Sequence, residues 1–283
     1  MARSARFRSA AAALAAAALL AAATGCSSDD DASGSNSQDT SGAGSSTISM
    51  LADLAGKKIG VQSGTTGESY ANEHAPSDAE VVAFDDTVGL FGAMESGEID
   101  AILQDFPVNA YRTIQDSSLQ VVETYKTDEQ YGFAVETGSE LKAELDGALA
   151  EVRDDGTYDL IFNKWFPEDG NAGPGAEDSD VEGSRTLKVC SDIPYEPMEF
   201  EGDGPRGLNY TGFDIELLDA MAVKIDANLE ILAVPFDGIL GNLASGTCDV
   251  VASSVTITEE REQEVDFTEP YFDADQSLLV KKD

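Results

Sequence analysis

Arg261, Asp105 and a set of strand-end hydroxyls are the residues whose types and spacing suit recognition of a small zwitterion. A carboxylate is matched by a planar double donor, which an arginine supplies, and by backbone N–H groups at the start of a helix. An ammonium calls for a carboxylate with a hydroxyl or carbonyl beside it. Arg261 follows the run Ser253-Ser254-Val-Thr256, and Asp105 follows an apolar run ending at Leu103. Gly64, Thr65 and Thr66 open a helix directly after a strand that ends at Gln62. Asp192 and Tyr195 follow another strand and Phe236 a further one, so the two rings suit the sides of an apolar stem. Each residue also has a plainer reading. Arg261 lies in Glu-Glu-Arg-Glu and fits a surface ion pair, Asp105 a helix cap, the hydroxyls mere strand ends, and Tyr195 and Phe236 core packing. Their convergence on strand ends in both halves of the chain argues for a site, because open parallel sheets take ligands beyond the carboxyl ends of their strands.

The elements that must position these residues alternate. Strands are predicted over Lys58–Gln62, Glu80–Phe84, Ile99–Leu103 and Leu119–Glu123, with helices over Thr66–Glu73, Thr87–Ser96 and Val108–Ile114 between them. Gln130–Val135 reads as a further extended run. Leu141, Leu145, Leu149 and Val152 recur at helical spacing before Gly156, and a second helix runs over Tyr158–Phe166 to Pro167. The alternation restarts with strands at Thr186–Cys190, Leu229–Val234 and Cys248–Ala252 and helices over Gly212–Ile225, Asp237–Ala244 and Thr258–Val265. Ser277–Val280 is a last extended piece. Two βαβ series on either side of a Gly/Asp/Glu/Ser/Pro linker imply two α/β lobes with largely parallel sheets.

Composition narrows the classes. The chain has 283 residues and a net charge of −37, which excludes a nucleic-acid-binding surface. Its only histidine is His74, away from every predicted strand end, and no CxxC pair occurs. General acid–base catalysis, a metal site and a cofactor are therefore not expected. Arg3, Arg6 and Arg8 precede an Ala/Leu run that ends in Ala-Thr-Gly-Cys26, the pattern of an export signal followed by a lipid-modified cysteine. The Ser/Gly/Asp/Asn stretch after Cys26 lacks the apolar side chains needed to fold and reads as a tether. In an exported chain Cys190 and Cys248 suit a disulfide, and a pair of buried free thiols suits them as well. The expected divisions are a signal at 1–25, a tether at 26–47, and a lobe at 48–129 carrying Thr66 and Asp105. A crossing strand with helices packed on the other lobe follows at 130–166, then a linker at 167–185 and a lobe at 186–283 carrying Asp192 and Arg261.

Several segments carry a family resemblance. Lys188-Val-Cys-Ser-Asp-Ile-Pro-Tyr-Glu-Pro-Met-Glu-Phe200, Gly212-Phe-Asp-Ile-Glu-Leu-Leu218 and Pro235-Phe-Asp-Gly-Ile-Leu240 resemble the N-terminal lobe of polar amino-acid solute-binding proteins of ABC importers, solute-binding family 3. So do Ser254-Val-Thr-Ile-Thr-Glu-Glu-Arg261 and Val265-Asp-Phe-Thr-Glu-Pro-Tyr271. Leu54 to Thr66, Asp155-Gly-Thr-Tyr-Asp159 and Lys164-Trp-Phe166 resemble that family's later segments. The resemblance implies a type II periplasmic-binding-protein-like fold in which two lobes close on a central cleft. It gives Arg261, with Thr256 and Thr66, the α-carboxylate, and Asp105 with Ser254 the α-ammonium. Tyr195 and Phe236 become walls, and Asp192, Ser253 and Gln62 face the ligand side chain; Thr65 stands beside Thr66 at the same helix start. The implied partners are a polar amino acid, the permease of an ABC importer, and the membrane through a lipid on Cys26. The implied protein is an extracytoplasmic monomer that is not an enzyme. In the family the segment like 186–283 precedes the segment like 48–166, so the order here looks circularly permuted, with one continuous crossing near Gln130–Val135 and a strand over 277–283 ending there. A ligand-sensing module for a partner receptor and a dehydratase-like enzyme are the alternative functions on this fold.

Overall fold

The computed structural model describes residues 47–167, 172–176, 179 and 181–282; the expected export signal, Cys26 and the tether up to residue 46 lie outside the described residues. Among the described residues, twelve strands and seven α-helices are arranged as two five-stranded sheets and a small hairpin. The first half of the described chain contributes β1 (Lys58–Gln62), α1 (Thr66–His74), β2 (Glu80–Phe84), α2 (Thr87–Ser96), β3 (Ala101–Asp105), α3 (Phe106–Gln115), β4 (Leu119–Tyr131), β5 (Ala134–Glu136), α4 (Leu141–Asp154) and α5 (Thr157–Trp165). The second half contributes β6 (Arg185–Ser191), the hairpin β7 (Phe200–Glu201) and β8 (Tyr210–Thr211), α6 (Phe213–Lys224), β9 (Ala227–Ala233), α7 (Gly241–Ala244), β10 (Val250–Val251), β11 (Val265–Phe267) and β12 (Phe272–Lys281).

The local signals act as their chemistry predicts. The Thr65 side chain accepts from the Glu68 N–H to cap α1, and Asp86 accepts from the Gly89 N–H to cap α2. Gly97 ends α2 with φ 78°, a left-handed conformation that costs glycine nothing. Leu145, Leu149 and Val152 form the buried face of α4, and α4 and α5 pack on α6 around the largest apolar cluster.

The sheets run β2-β1-β3-β12-β4 and β11-β5-β10-β6-β9. In the first, β12 lies antiparallel between β3 and β4; in the second, β5 lies antiparallel between β11 and β10. Each lobe therefore holds four strands of one direction and one strand of the other that arrives from the opposite lobe. The chain crosses between sheets twice, over 131–134 and over 267–272. These crossings pair with each other: Thr268 N–H donates to Phe133 O and Tyr271 N–H to Tyr131 O, both at 2.9 Å. Gly132 belongs to this crossing because a Cβ there would stand 2.9 Å from Ile257 Cδ1 and 3.1 Å from Phe267 Cδ1. At the far end of β12, Leu278 and Val280 share an apolar cluster with Ile48 and Leu54.

Several expectations need correction. The last strand is not a short piece at Ser277–Val280 but ten residues that pair into the first sheet, so the crossing is double. Likewise β4 has thirteen residues where five were expected, because its polar second half pairs along β12 rather than burying a face of its own. The expected helix over Thr258–Val265 is a single 3-10 turn at Arg261–Gln263. The alternating burial of Val265 and Phe267 draws that segment's end into a strand against β5. The expected helix over Asp237–Ala244 shortens to four residues.

Candidate functional site

The carboxyl ends of β1 and β3 in one sheet and of β6 and β10 in the other face a common gap. A nearly filled cavity of about 10 Å³ lies there, lined by all eleven residues singled out from the sequence. Gln62, Thr65, Thr66 and Asp105 come from the first lobe. Asp192, Tyr195, Phe236, Ser253, Ser254, Thr256 and Arg261 come from the second.

The lobes touch across this gap through the polar groups themselves. Gln62 Nε2 donates to Asp192 Oδ2 at 2.5 Å, and Tyr195 OH to Asp105 Oδ2 at 2.6 Å. One Arg261 nitrogen, Nη1, donates to Thr256 O at 2.8 Å and Nη2 to Gly64 O at 3.1 Å, while the guanidinium carbon stands 5.5 Å from the Phe236 ring centre. Farther out, Thr87 Oγ1 donates to Pro194 O and Gln115 Nε2 to Glu196 Oε2. The plain readings fail at two positions. The Arg261 nitrogens meet the Thr256 carbonyl in their own lobe and the Gly64 carbonyl in the other, rather than a surface carboxylate. Asp105 stands at the N-cap position of α3, yet its side chain makes no capping bond and turns to Tyr195 and Gln276.

Burial sets the electrostatics. Desolvation pushes the Asp105 carboxyl up to about 6, helped by the nearby charge of Glu129 and opposed by hydrogen bonds from Tyr195 and Gln276. The Asp192 carboxyl also rises to about 6, chiefly through desolvation, with the Gln62 bond opposing it. Desolvation lowers Arg261 from its ordinary value, and the charges of Asp105 and Glu129 oppose that fall.

A second layer holds these residues and was not picked out from the sequence. Glu199 and Asp214 are fully buried side by side under the cavity floor. Glu199 accepts from Ser253 Oγ at 2.9 Å and Ser254 Oγ at 3.4 Å. Asp214 accepts from the Ser254 N–H at 2.8 Å and Tyr271 OH at 2.6 Å. Those bonds hold Ser254 at φ 48°, a conformation uncommon for a residue with a Cβ. On the first lobe, Gln276 Nε2 donates to Asp105 Oδ1 at 2.5 Å and reaches Glu129, whose Oε2 accepts from both Thr66 and Thr256. Met198-Glu199-Phe200 and Phe213-Asp214-Ile215 did carry a signal, an acid between apolar neighbours. Gln276 and Glu129 carried none, since only the β3-β12-β4 pairing brings them to Asp105.

Cys190, at the end of β6, and Cys248, just before β10, form a disulfide. Among the described residues no cluster of His, Cys, Asp and Glu has the arrangement to hold a metal ion, and no helix is long and apolar enough to cross a membrane.

Two α/β lobes are joined by paired crossings, and polar groups from both converge on the gap between them. Residues 187–283 match the model of the bacterial extracellular solute-binding proteins, family 3. The chain is 38% identical over 98 residues to a probable histidine-binding protein of Neisseria gonorrhoeae, covering 35% of each chain. It is 41% identical over 105 residues to a probable amino-acid-binding protein of Bacillus subtilis, 37% of this chain and 38% of that one. It is 34% identical over 128 residues to the ABC transporter arginine-binding protein 1 of Escherichia coli, 43% of this chain and 52% of that one. The chain thus spans between about a third and a half of the length of these curated relatives.

Proposed function

We propose that this protein is a family 3 solute-binding protein that closes its two lobes around a polar amino acid and delivers it to the permease of an ABC importer, without chemistry. On this reading it acts outside the cytoplasm as a monomer, tethered by a lipid on Cys26, and its two family segments stand in permuted order. The observation that carries the reading is that Arg261 and Asp105, from different lobes and distant in the chain, line one cavity. The guanidinium takes the α-carboxylate and the Asp105 carboxylate the α-ammonium, with Tyr195 and Phe236 against the stem. Names of the relatives support the same class, since they are histidine-, arginine- and amino-acid-binding proteins.

Binding then exchanges partners. Opening separates Gln62 from Asp192, Tyr195 from Asp105 and Arg261 from Gly64 O; the ligand supplies replacement charges, and closure follows from contacts available only in the closed form. Charge-assisted hydrogen bonds contribute about 1.5–3 kcal/mol each. Arg261→Ala is therefore expected to weaken amino-acid binding in calorimetry by well over tenfold while the fold persists. Undiminished affinity in that variant would remove Arg261 from the site and the reading with it.

A further inference from the structure

A second cavity, far roomier than the gap at Arg261, lies beside the crossing ribbon. Its volume is about 900 Å³, within the range of small-molecule sites. One face of α3 in the first lobe forms one wall, through Phe106, Ala110 and Ile114. The end of α5, which packs on the second lobe, forms another through Phe162, Trp165 and Phe166. Strands β4 and β12 close it from below. The apolar side is aromatic. Phe162, Phe166 and Phe272 pack on one another with ring centres 5.1 to 5.9 Å apart. Phe106 and Ile114 at its edge are left 41% and 80% exposed, so folding does not cover this surface.

The polar side is acidic. Asp128, Glu129, Asp273 and Asp275 stand there with a single lysine, Lys126, whose ammonium pairs with Asp128 at 2.5 Å. Asp273 accepts from the Gln130 amide at 2.7 Å and Asp275 from the Thr127 N–H at 3.0 Å. The second oxygen of each has no hydrogen bond or ion pair among the described residues. Glu129 is engaged by Thr66 and Thr256, so this carboxylate stands between the two cavities. Ring faces attract a cation and a carboxylate accepts its N–H groups, whereas both repel an anion.

We infer that this cavity is a second binding site, for a free organic amine with an apolar body, separate from the gap that Arg261 lines. The body lies on the phenylalanine rings between α3 and α5, and the ammonium meets the unengaged oxygens of Asp273 and Asp275. Arg261 takes no part, because such a ligand brings no carboxylate. The site therefore stands independently of the amino-acid reading.

Trp165 is the chain's single tryptophan and lines this cavity, so its fluorescence reports the site directly. The full chain is titrated with phenylbutylamine, phenylbutanol and phenylbutyrate, which share one body and differ in charge. The amine is expected to change Trp165 emission and to saturate at about millimolar concentration, as befits a ligand of its size. It should bind about tenfold tighter than the alcohol, and the butyrate weaker still. Asp273→Asn is expected to remove most of the preference for the amine over the alcohol. Ala110→Phe, which fills the cavity from α3, should abolish the emission change, and Arg261→Ala should leave it as in the parent. Equal binding of the alcohol or the butyrate, or an unchanged preference in Asp273→Asn, would overturn the cationic class. No emission change with the amine, or its loss in Arg261→Ala, would overturn the site.

Discussion

At the scale of single residues, the carboxylates facing the cavity carry opposite linkages to stability and to ligand. Asp105 and Asp192 sit near 6 in the folded protein, against an ordinary aspartate value of 3.8, because burial disfavours their charged forms. The folded state then holds more protons than the unfolded one between those values. The stability these groups contribute is complete below about 3.8 and is lost as pH rises through about 6. A bound ammonium favours the ionised carboxylate, so affinity has the reverse slope. Between pH 5 and pH 7.5 the ligand-free melting temperature is expected to fall while amino-acid affinity rises, and Asp105→Asn should flatten both trends. Affinity that instead weakens toward pH 7.5 would mean that the ammonium does not meet Asp105. The buried pair Glu199 and Asp214 adds to the stability slope in the same direction, since burial raises both and the charge of Asp214 raises Glu199 further.

At the scale of elements, the ends of β6 and β10 matter most because Asp192, Ser253 and Ser254 hang from them. The Cys190–Cys248 bridge ties these ends together, closing a loop with a sequence separation of 58 residues. Loop-closure entropy for such a loop is about 4 kcal/mol. Replacing both cysteines by alanine is expected to lower the denaturant midpoint by a corresponding amount, and the amino-acid affinity of the still-folded fraction should change little. A midpoint equal to the parent's would show that the apolar packing of Ile239, Leu243 and Val251 around the cysteines already fixes these strands. The crossing elements are fixed differently. Gly132 leaves room for Ile257 and Phe267, and the backbone bonds between 131–134 and 267–272 make the two crossings one narrow ribbon. On the proposed reading, opening of the cavity bends this ribbon as a unit.

For the whole molecule, each sheet is completed by a strand from the opposite half of the chain, β12 in the first and β5 in the second. Neither lobe is a contiguous stretch of sequence, and this bears on the proposed permutation. Ile48 packs with Leu278 and Val280 at one end of the first sheet. A chain reordered to run 186–283 and then directly into 48–167 should therefore retain the same contacts. It is expected to bind the same amino acid within about threefold in calorimetry. Loss of folding in the reordered chain would refute the proposal that the two orders are versions of one architecture.

Much of the candidate site was legible in the sequence. Strand and helix signals are local, so hydroxyls, aromatics and charges following apolar runs could be assigned to strand ends, and parallel sheets gather such ends on one side. Capped helices and glycine stops were legible for the same reason, as at Thr65 and Gly97. Short or polar elements were not. The strand at Val265–Phe267 and the second half of β4 exist only because partners far away in the chain complete their backbone hydrogen bonds, and β7 and β8, at two residues each, are too short to show an alternation. The sequence by itself determined which residue types stand at the cavity. Only the tertiary structure decided where their protons go, because Glu129, Glu199 and Gln276 reach the hydroxyls and Asp105 through strand pairing and burial that no local pattern encodes.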